Sequence, residues 1–175
     1  MKTKLLSLFL VVVMLVTMFS FGFATKVNAA TTYGYGFAST PIKVFSGYQL
    51  NTNQVNILKQ AIAKWNSTRL GTLLTYGGVK NVFNPTLADG WNTLTVGRLS
   101  DGVAGETRVY TNGSHIVEAN ILIDENNFDV SVVMHELGHL LGLKDNNYTA
   151  SVMCFVNQGS TTITASDLAD LDSLY

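Results

Sequence analysis

The stretch HELGHLLGLKD, residues 135 to 145, constrains this chain more than any other. On a helix, His135 and His139 stand one turn apart on the same face, so both imidazoles can reach one point. Such a pair suits a zinc ion, with Zn–N distances of about 2.0–2.1 Å. Glu136 lies one position round the helix from His135. It need not ligate and can act as a general base. Catalytic zinc takes three protein ligands and leaves a fourth position open, so one more ligand must come from beyond the helix. Gly142 offers a route. A glycine in the left-handed conformation stops a helix and turns the chain back, and Asp145, three residues on, can then meet the metal. A carboxylate oxygen binds zinc at about 2.0–2.2 Å, and two histidines with one carboxylate form a known catalytic set. The plain alternative for Asp145 is a solvated loop aspartate. As a ligand it would lower the formal charge at the metal and weaken the pull on a bound water's proton. Activity is therefore expected at neutral or higher pH, with Glu136 and the surrounding hydrogen bonds compensating.

The residues around this stretch alternate between strand and helix patterns. Residues 31 to 48, rich in Gly, Tyr, Thr and Phe, read as an extended opening segment with turns. Val55, Leu58, Ala61, Ile62 and Trp65 recur at three and four, one face of a helix over 53 to 67 capped by Thr52 or Asn53. Gly71 to Tyr76, Asn92 to Arg98 and Ile116 to Asp124 read as strands, the last rich in β-branched residues. A second helix is expected from near Asp129 to about Leu141, with Gly142 in the C-cap place. Residues 146 to 163 read as irregular loop. Thr164-Ala165-Ser166-Asp167 has the form of a capping box ahead of a last helix with Leu168, Leu171 and Tyr175 in one stripe. This order predicts one mixed α+β (α/β-like) domain, a twisted sheet covered by helices.

The N-terminus reads as a targeting segment. Lys2 and Lys4 precede an apolar run from Leu5 to Phe23, and Val27 and Ala29 suit cleavage after Ala29. The expected organisation is a signal peptide over 1–29 and one catalytic domain over 30–175, secreted and extracellular; the run's length leaves an uncleaved membrane anchor as the alternative. Without Lys2, Lys4 and Lys26 the chain carries 8 basic and 12 acidic residues, a net of −4. That balance argues against a nucleic-acid or anionic-membrane partner. Cys154 is the single cysteine, so no internal disulfide can form, and it reads as a small buried residue.

The spacing H-E-x-x-H-x-x-G-x-x-D resembles the metzincin clan of zinc peptidases, whose commonest form ends in histidine and whose snapalysin-like members end in aspartate. Met153 in SVMC falls where the clan has a methionine turn beneath the metal. ASDLADLDSLY, residues 165 to 175, resembles the matrixin C-terminal helix. The helix over 53 to 67, with Ala61 and Trp65, resembles the first matrixin helix, and EANILID, residues 118 to 124, sits where matrixins have an edge strand before the active-site helix. The resemblance implies a zincin-like fold: a twisted mixed sheet with an antiparallel edge strand, an active-site helix and a C-terminal helix. It implies one catalytic Zn²⁺ held by His135, His139 and Asp145, with Glu136 as base and Gly142 and Met153 as support. An extended protein or peptide substrate would pair along residues 117 to 123, touching Val117, Ala119 and Ile121, while residues 155 to 162 line the pocket just beyond the scissile bond. There are departures. No cysteine precedes Cys154, so the family's cysteine-blocked propeptide has no counterpart. The family's histidine-rich structural-zinc segment is missing, and only His115 lies upstream of the motif. Phe155 stands where some relatives carry a tyrosine ligand, and Tyr148 is the nearest phenol.

These readings converge on a secreted, monomeric zinc endopeptidase in which Glu136 activates a water at the metal. The rival is a non-enzymatic secreted or anchored binding module that keeps a zinc for stability. Intact Glu136 argues against it, since a structural site needs four ligands and no base. Asp124, Glu125, Asn126 and Asn127 offer oxygens for Ca²⁺, against the plainer reading of a loop, and His115 reads as a partly exposed structural histidine.

Overall fold

Asn51 opens the first helix, and it does so by a reciprocal pair of hydrogen bonds. In the computed structural model, which describes residues 32–81, 90–156 and 159–175, the Asn51 side chain accepts from Gln54 N while the Gln54 side chain accepts from Asn51 N. This capping box corrects the cap expected at Thr52 or Asn53, because Gln54 completes the box only with Asn51. Helix α1, Thr52–Asn66, buries Leu58, Ala61, Ile62 and Trp65, the stripe its periodicity predicts. Val55 stays half-buried near the open end. The Trp65 indole donates to Met134 O at 3.0 Å, so its one polar atom is satisfied inside the core.

The helix packs beside a six-stranded sheet: β1 Gly36–Phe37, β2 Ile42–Gly47, β3 Leu74–Lys80, β4 Thr93–Gly97, β5 Gly105–Asn112 and β6 His115–Asp124. The order is β1-β6-β4-β2-β3, with every pair on that path parallel and β5 antiparallel to β6. The sequence placed β3 at Gly71 to Tyr76. It begins later because Gly71, at φ +76°, belongs to the turn. Strand β5 was not expected: GETRVYTN alternates poorly, and its side chains are mostly half-buried or exposed. The chain from 118 to 124, expected at an edge, is instead interior. β6 carries β5 from His115 to Ile123 on one side, with β4 from Asn120 to Asp124 on the other.

Two helices follow. Asp129 caps α2, Val130–Leu140, by accepting from Ser131 N and Val132 N. Nearly all of α2 is buried, as suits a helix enclosed on several sides. Thr164 caps α3, Ala165–Asp172, through the expected box with Asp167. Leu58, Trp65, Leu94, Ile121, Ile123, Met134, Leu137 and Met153 are fully buried in one continuous core. The segment 1–29 lies outside the described residues. Among the described residues no helix is long and apolar enough to cross a membrane.

Candidate active site

Helix α2 aims His135 and His139 at one point. Their Nε2 atoms are 3.0 Å apart. The Asp145 Oδ1 lies 3.0 Å from Nε2 of His135 and 3.5 Å from Nε2 of His139. Asp145 arrives by the turn the sequence predicts. Gly142 has φ +96°, donates to His139 O at 2.9 Å, and leaves no room for a side chain, since a Cβ would come 2.5 Å from Tyr35 O.

The opposite ring nitrogens decide the tautomers. His135 Nδ1 lies 2.8 Å from Val152 O and His139 Nδ1 lies 2.9 Å from Leu143 O. Carbonyls only accept, so each Nδ1 carries the proton and donates. In the neutral rings both Nε2 lone pairs then face each other and the Asp145 carboxylate. Three electron-rich atoms with no proton among them repel unless a cation joins them. Ligand atoms about 2.05 Å from a tetrahedral zinc stand about 3.3 Å apart, and the three separations bracket that value. The residues present therefore fit zinc.

Without a metal the same cluster favours a protonated His139 facing an ionised Asp145. Hydrogen bonds from His135 and then His139 hold the Asp145 carboxyl far below the ordinary carboxylate range, against the opposing effect of burial. Burial pulls the His139 imidazole down, but the Asp145 hydrogen bond, the Glu136 charge and the Leu143 carbonyl outweigh it and leave that group raised. Asp145 itself stays half open to solvent, so the cluster is reachable from outside.

Glu136 is buried beside this cluster, a carboxylate oxygen within 4.8 Å of the histidine nitrogens. Its neighbours come from β5, the strand the sequence did not reveal. Thr107 Oγ1 donates to Glu136 Oε2 at 2.6 Å. A Cβ at Gly105 would come 2.6 Å from Glu136 Oε1. Met153 is fully buried and its sulfur presses on Gly138, between the two histidines. Below it, Ser151 accepts from Met153 N at 2.8 Å and donates to the buried Asp167. Gly138, Thr107, Gly105 and Ser151 were all missed, and Asp167 was expected only as the capping partner of Thr164. Only Gly138 left a usable sign, a glycine inside an apolar helix, which costs about 0.5–1 kcal/mol against alanine and so needs a reason.

The remaining expectations are placed less centrally. Ala119 and Ile121 are fully buried in the core and Val117 is exposed on β6, whose backbone is already paired. β6 is thus paired with β5 along one side and with β1 and β4 over parts of the other, and the expected substrate contacts at these three positions lie on an interior strand. Asp124 accepts from Leu99 N, Asn126 N and Asn127 Nδ2, each at 3.0 Å. These amides, Leu99 first, hold its carboxyl below the usual range, and Glu125 pairs with Arg98. The acids expected to offer oxygens to Ca²⁺ are thus engaged by protein donors. His115 is exposed at the start of β6. Tyr148 and Phe155 are exposed, and residues 157 and 158 of the expected pocket loop lie outside the described residues. Cys154 is buried and unbonded, as expected of a small core residue. The N-terminal chain adds an aromatic neighbour: Tyr33 donates its N–H to Gly142 O at 2.9 Å, and its ring centre lies 6.4 Å from that of His139.

A mixed sheet over a helix bearing HExxHxxGxxD, with a buried methionine packed on Gly138 in the turn that carries the two histidines, is the arrangement expected of the metzincin class. The matrixin family model (Peptidase_M10) matches residues 88–175, and the chain belongs to that family. No curated protein matches. Among solved structures the chain is similar to metalloproteinase-II from Bacteroides fragilis, at 13% identity and a TM-score of 0.51 over 82% of this chain and 54% of that one. It is also similar to high choriolytic enzyme 1, a hatching enzyme zinc-protease from Oryzias latipes, the medaka fish, at 11% identity and a TM-score of 0.44 over 75% of this chain and 87% of that one. The chain spans about half the length of the Bacteroides fragilis structure, and that likeness is one of fold.

Proposed function

We propose that this protein is a secreted zinc endopeptidase in which His135, His139 and Asp145 hold the metal and Glu136 is the general base. The observation that carries the reading is the convergence of two Nε2 atoms and one Oδ1 at separations of 3.0, 3.0 and 3.5 Å, with a buried carboxylate beside them. When bound, zinc supplies Lewis-acid polarisation of a peptide carbonyl and makes water acidic enough to lose a proton near neutral pH.

The chain's own groups do the rest. Val152 O and Leu143 O fix the two imidazoles in the tautomer that leaves Nε2 to the metal. Glu136 takes the proton of the attacking water and passes it to the leaving amine as the C–N bond breaks. Its burial keeps the carboxylate in place for both transfers. The substrate adds as an extended strand along the outer side of β5, which among the described residues pairs only with β6 and which touches Glu136 through Gly105 and Thr107. Backbone pairing of this kind gives affinity with little demand on side-chain identity. Export follows from the apolar segment and the small residues before Ala30.

The test is cleavage of an unfolded protein substrate by the zinc-loaded protein, with and without chelator, beside Glu136→Ala. Chelator-sensitive cleavage by the parent, abolished in a variant that still binds zinc, is the expected result. A parent that binds zinc and cuts nothing across a broad peptide library would return the protein to the class of binding modules with a structural metal.

A further inference from the structure

Glu136 is held from outside its own helix, and the hold comes from one strand. Residues 105 and 107 lie two apart on β5 and so face the same side of the sheet. Both meet Glu136. At position 107 a hydroxyl reaches Oε2 at 2.6 Å and the Glu136 backbone carbonyl at 3.2 Å. A hydroxyl has one proton, and the nearer, charged acceptor takes it. At position 105 the absence of a side chain makes room for the carboxyl group, since a Cβ would come within 2.8 Å of Oε1, Cγ and Cδ of Glu136. The carboxylate is thereby gripped at one oxygen, while the other lies over bare backbone.

Resting on the reading of Glu136 as base, we propose that Thr107 is a positioning residue for catalysis: its hydroxyl locks the Glu136 carboxylate in the orientation that accepts the water proton, in the space that Gly105 leaves. A base on a long side chain has three rotatable bonds, and proton transfer needs it within hydrogen-bond reach of its partner. Small misplacement of a catalytic group can cost on the order of 100-fold in rate. Thr107 removes that freedom without touching the metal ligands. It also stands on the strand proposed to receive substrate, so the base is registered directly against the scissile bond.

The experiment compares zinc-loaded parent, Thr107→Val and Thr107→Ser on one peptide substrate. Thr107→Val keeps the branched shape that suits a strand and deletes the donor; Thr107→Ala replaces it if the valine variant does not fold. The expected result is a fall in kcat of about tenfold or more, with KM within about twofold. Serine should restore most of kcat, and the zinc affinity and the absorption spectrum of the cobalt-substituted protein should stay unchanged. In the metal-free protein Thr107→Val should lower Tm in the parent background and not in a Glu136→Ala background, because the contact exists only with Glu136 present. Unchanged kcat in the valine variant, a loss that serine does not restore, a loss residing in KM or zinc affinity, or an equal Tm shift in both backgrounds would overturn the proposal. A zinc-loaded parent that cuts nothing overturns the role of Glu136 and this inference together, whereas a parent and a valine variant that cut equally well overturn only the role of Thr107.

Discussion

Met153 packs its sulfur into the space a side chain at Gly138 would occupy, in the helical turn between His135 and His139, with Trp65 close to the same point. The helix accepts a glycine there because any Cβ would stand inside the methionine. Replacing Gly138 by alanine should gain up to about 1 kcal/mol in helix propensity. It should lose more by overpacking, which costs about 1–3 kcal/mol. The expected outcome is a lower Tm and weaker zinc binding together, because the displaced Met153 carries Val152 and its carbonyl away from His135 Nδ1. Calorimetric unfolding with and without zinc checks it. A variant as stable as the parent would mean that the methionine yields freely.

That contact also shows what the sequence could reveal. The two histidines and Gly142 follow from helix geometry and from one glycine's freedom at positive φ, both local properties, and they stand where the spacing puts them. The stripe Leu58, Ala61, Ile62 and Trp65 was equally legible, because a core-facing helix writes its period into the chain. Strand β5 was not, since its side chains are half-buried and polar and its place is fixed by pairing with β6 rather than by its own pattern. With β5 hidden, the edge was assigned to β6, and Val117, Ala119 and Ile121 were assigned to substrate. Thr107, Gly105 and Ser151, and the reach of Asp167 to Ser151, are invisible for the same reason: each acts across more than a dozen residues, and an isolated threonine or serine carries no mark of its partner.

Asp145 is expected to decide metal retention. In Asp145→Ala the two histidines remain, held by Val152 O and Leu143 O, but zinc loses one of three protein ligands. Affinity should fall by well over the 10–100-fold typical of losing an outer-sphere partner, with the fold intact, since Asp145 is half exposed and contributes little to the core. Competition against a chromophoric chelator measures it. Zinc affinity within threefold of the parent would remove Asp145 from the ligand set.

The metal-free and zinc-loaded proteins should respond to pH with opposite signs. His139 is raised, so its stabilising effect is present below the ordinary histidine value and is lost as pH rises through its raised one. Asp145 is depressed, so its effect is present above the ordinary aspartate value and is lost only as pH falls far into acid. The metal-free cluster is therefore most favourable in mildly acidic solution, where imidazolium faces carboxylate. Zinc needs the imidazoles neutral and must displace that proton, so its affinity should weaken as pH drops through the raised His139 value, with protons released on binding. The Tm difference between zinc-loaded and chelated protein should be small near pH 5 and large near pH 8. A difference independent of pH would mean that no ligand histidine is protonated in the metal-free state.

Asp167 links the C-terminal helix to this cluster. One of its oxygens accepts from Thr164 N and Thr164 Oγ1, both at 2.8 Å, and closes the capping box of α3. The other accepts from Ser151 Oγ at 2.8 Å and from Asn146 Nδ2 at 3.3 Å. Ser151 in turn accepts from Met153 N, and Val152, between them, presents its carbonyl to His135. Asp167→Asn must turn an amide N–H₂ towards one of these two groups of donors, and a buried donor left unmatched costs about 1–3 kcal/mol. If the amide faces Thr164, the cap of α3 is lost and stability falls with zinc binding unchanged. If it faces Ser151, the hydroxyl turns away, Met153 N loses its acceptor geometry, and zinc affinity falls as well. The second outcome is expected, because Thr164 offers two short donors that only an oxygen can satisfy, whereas the Ser151 hydroxyl can rotate to accept from the amide. Ser151→Ala should then weaken zinc binding to a similar degree while leaving the α3 cap intact, and the pair measured together in one zinc titration separates the two routes.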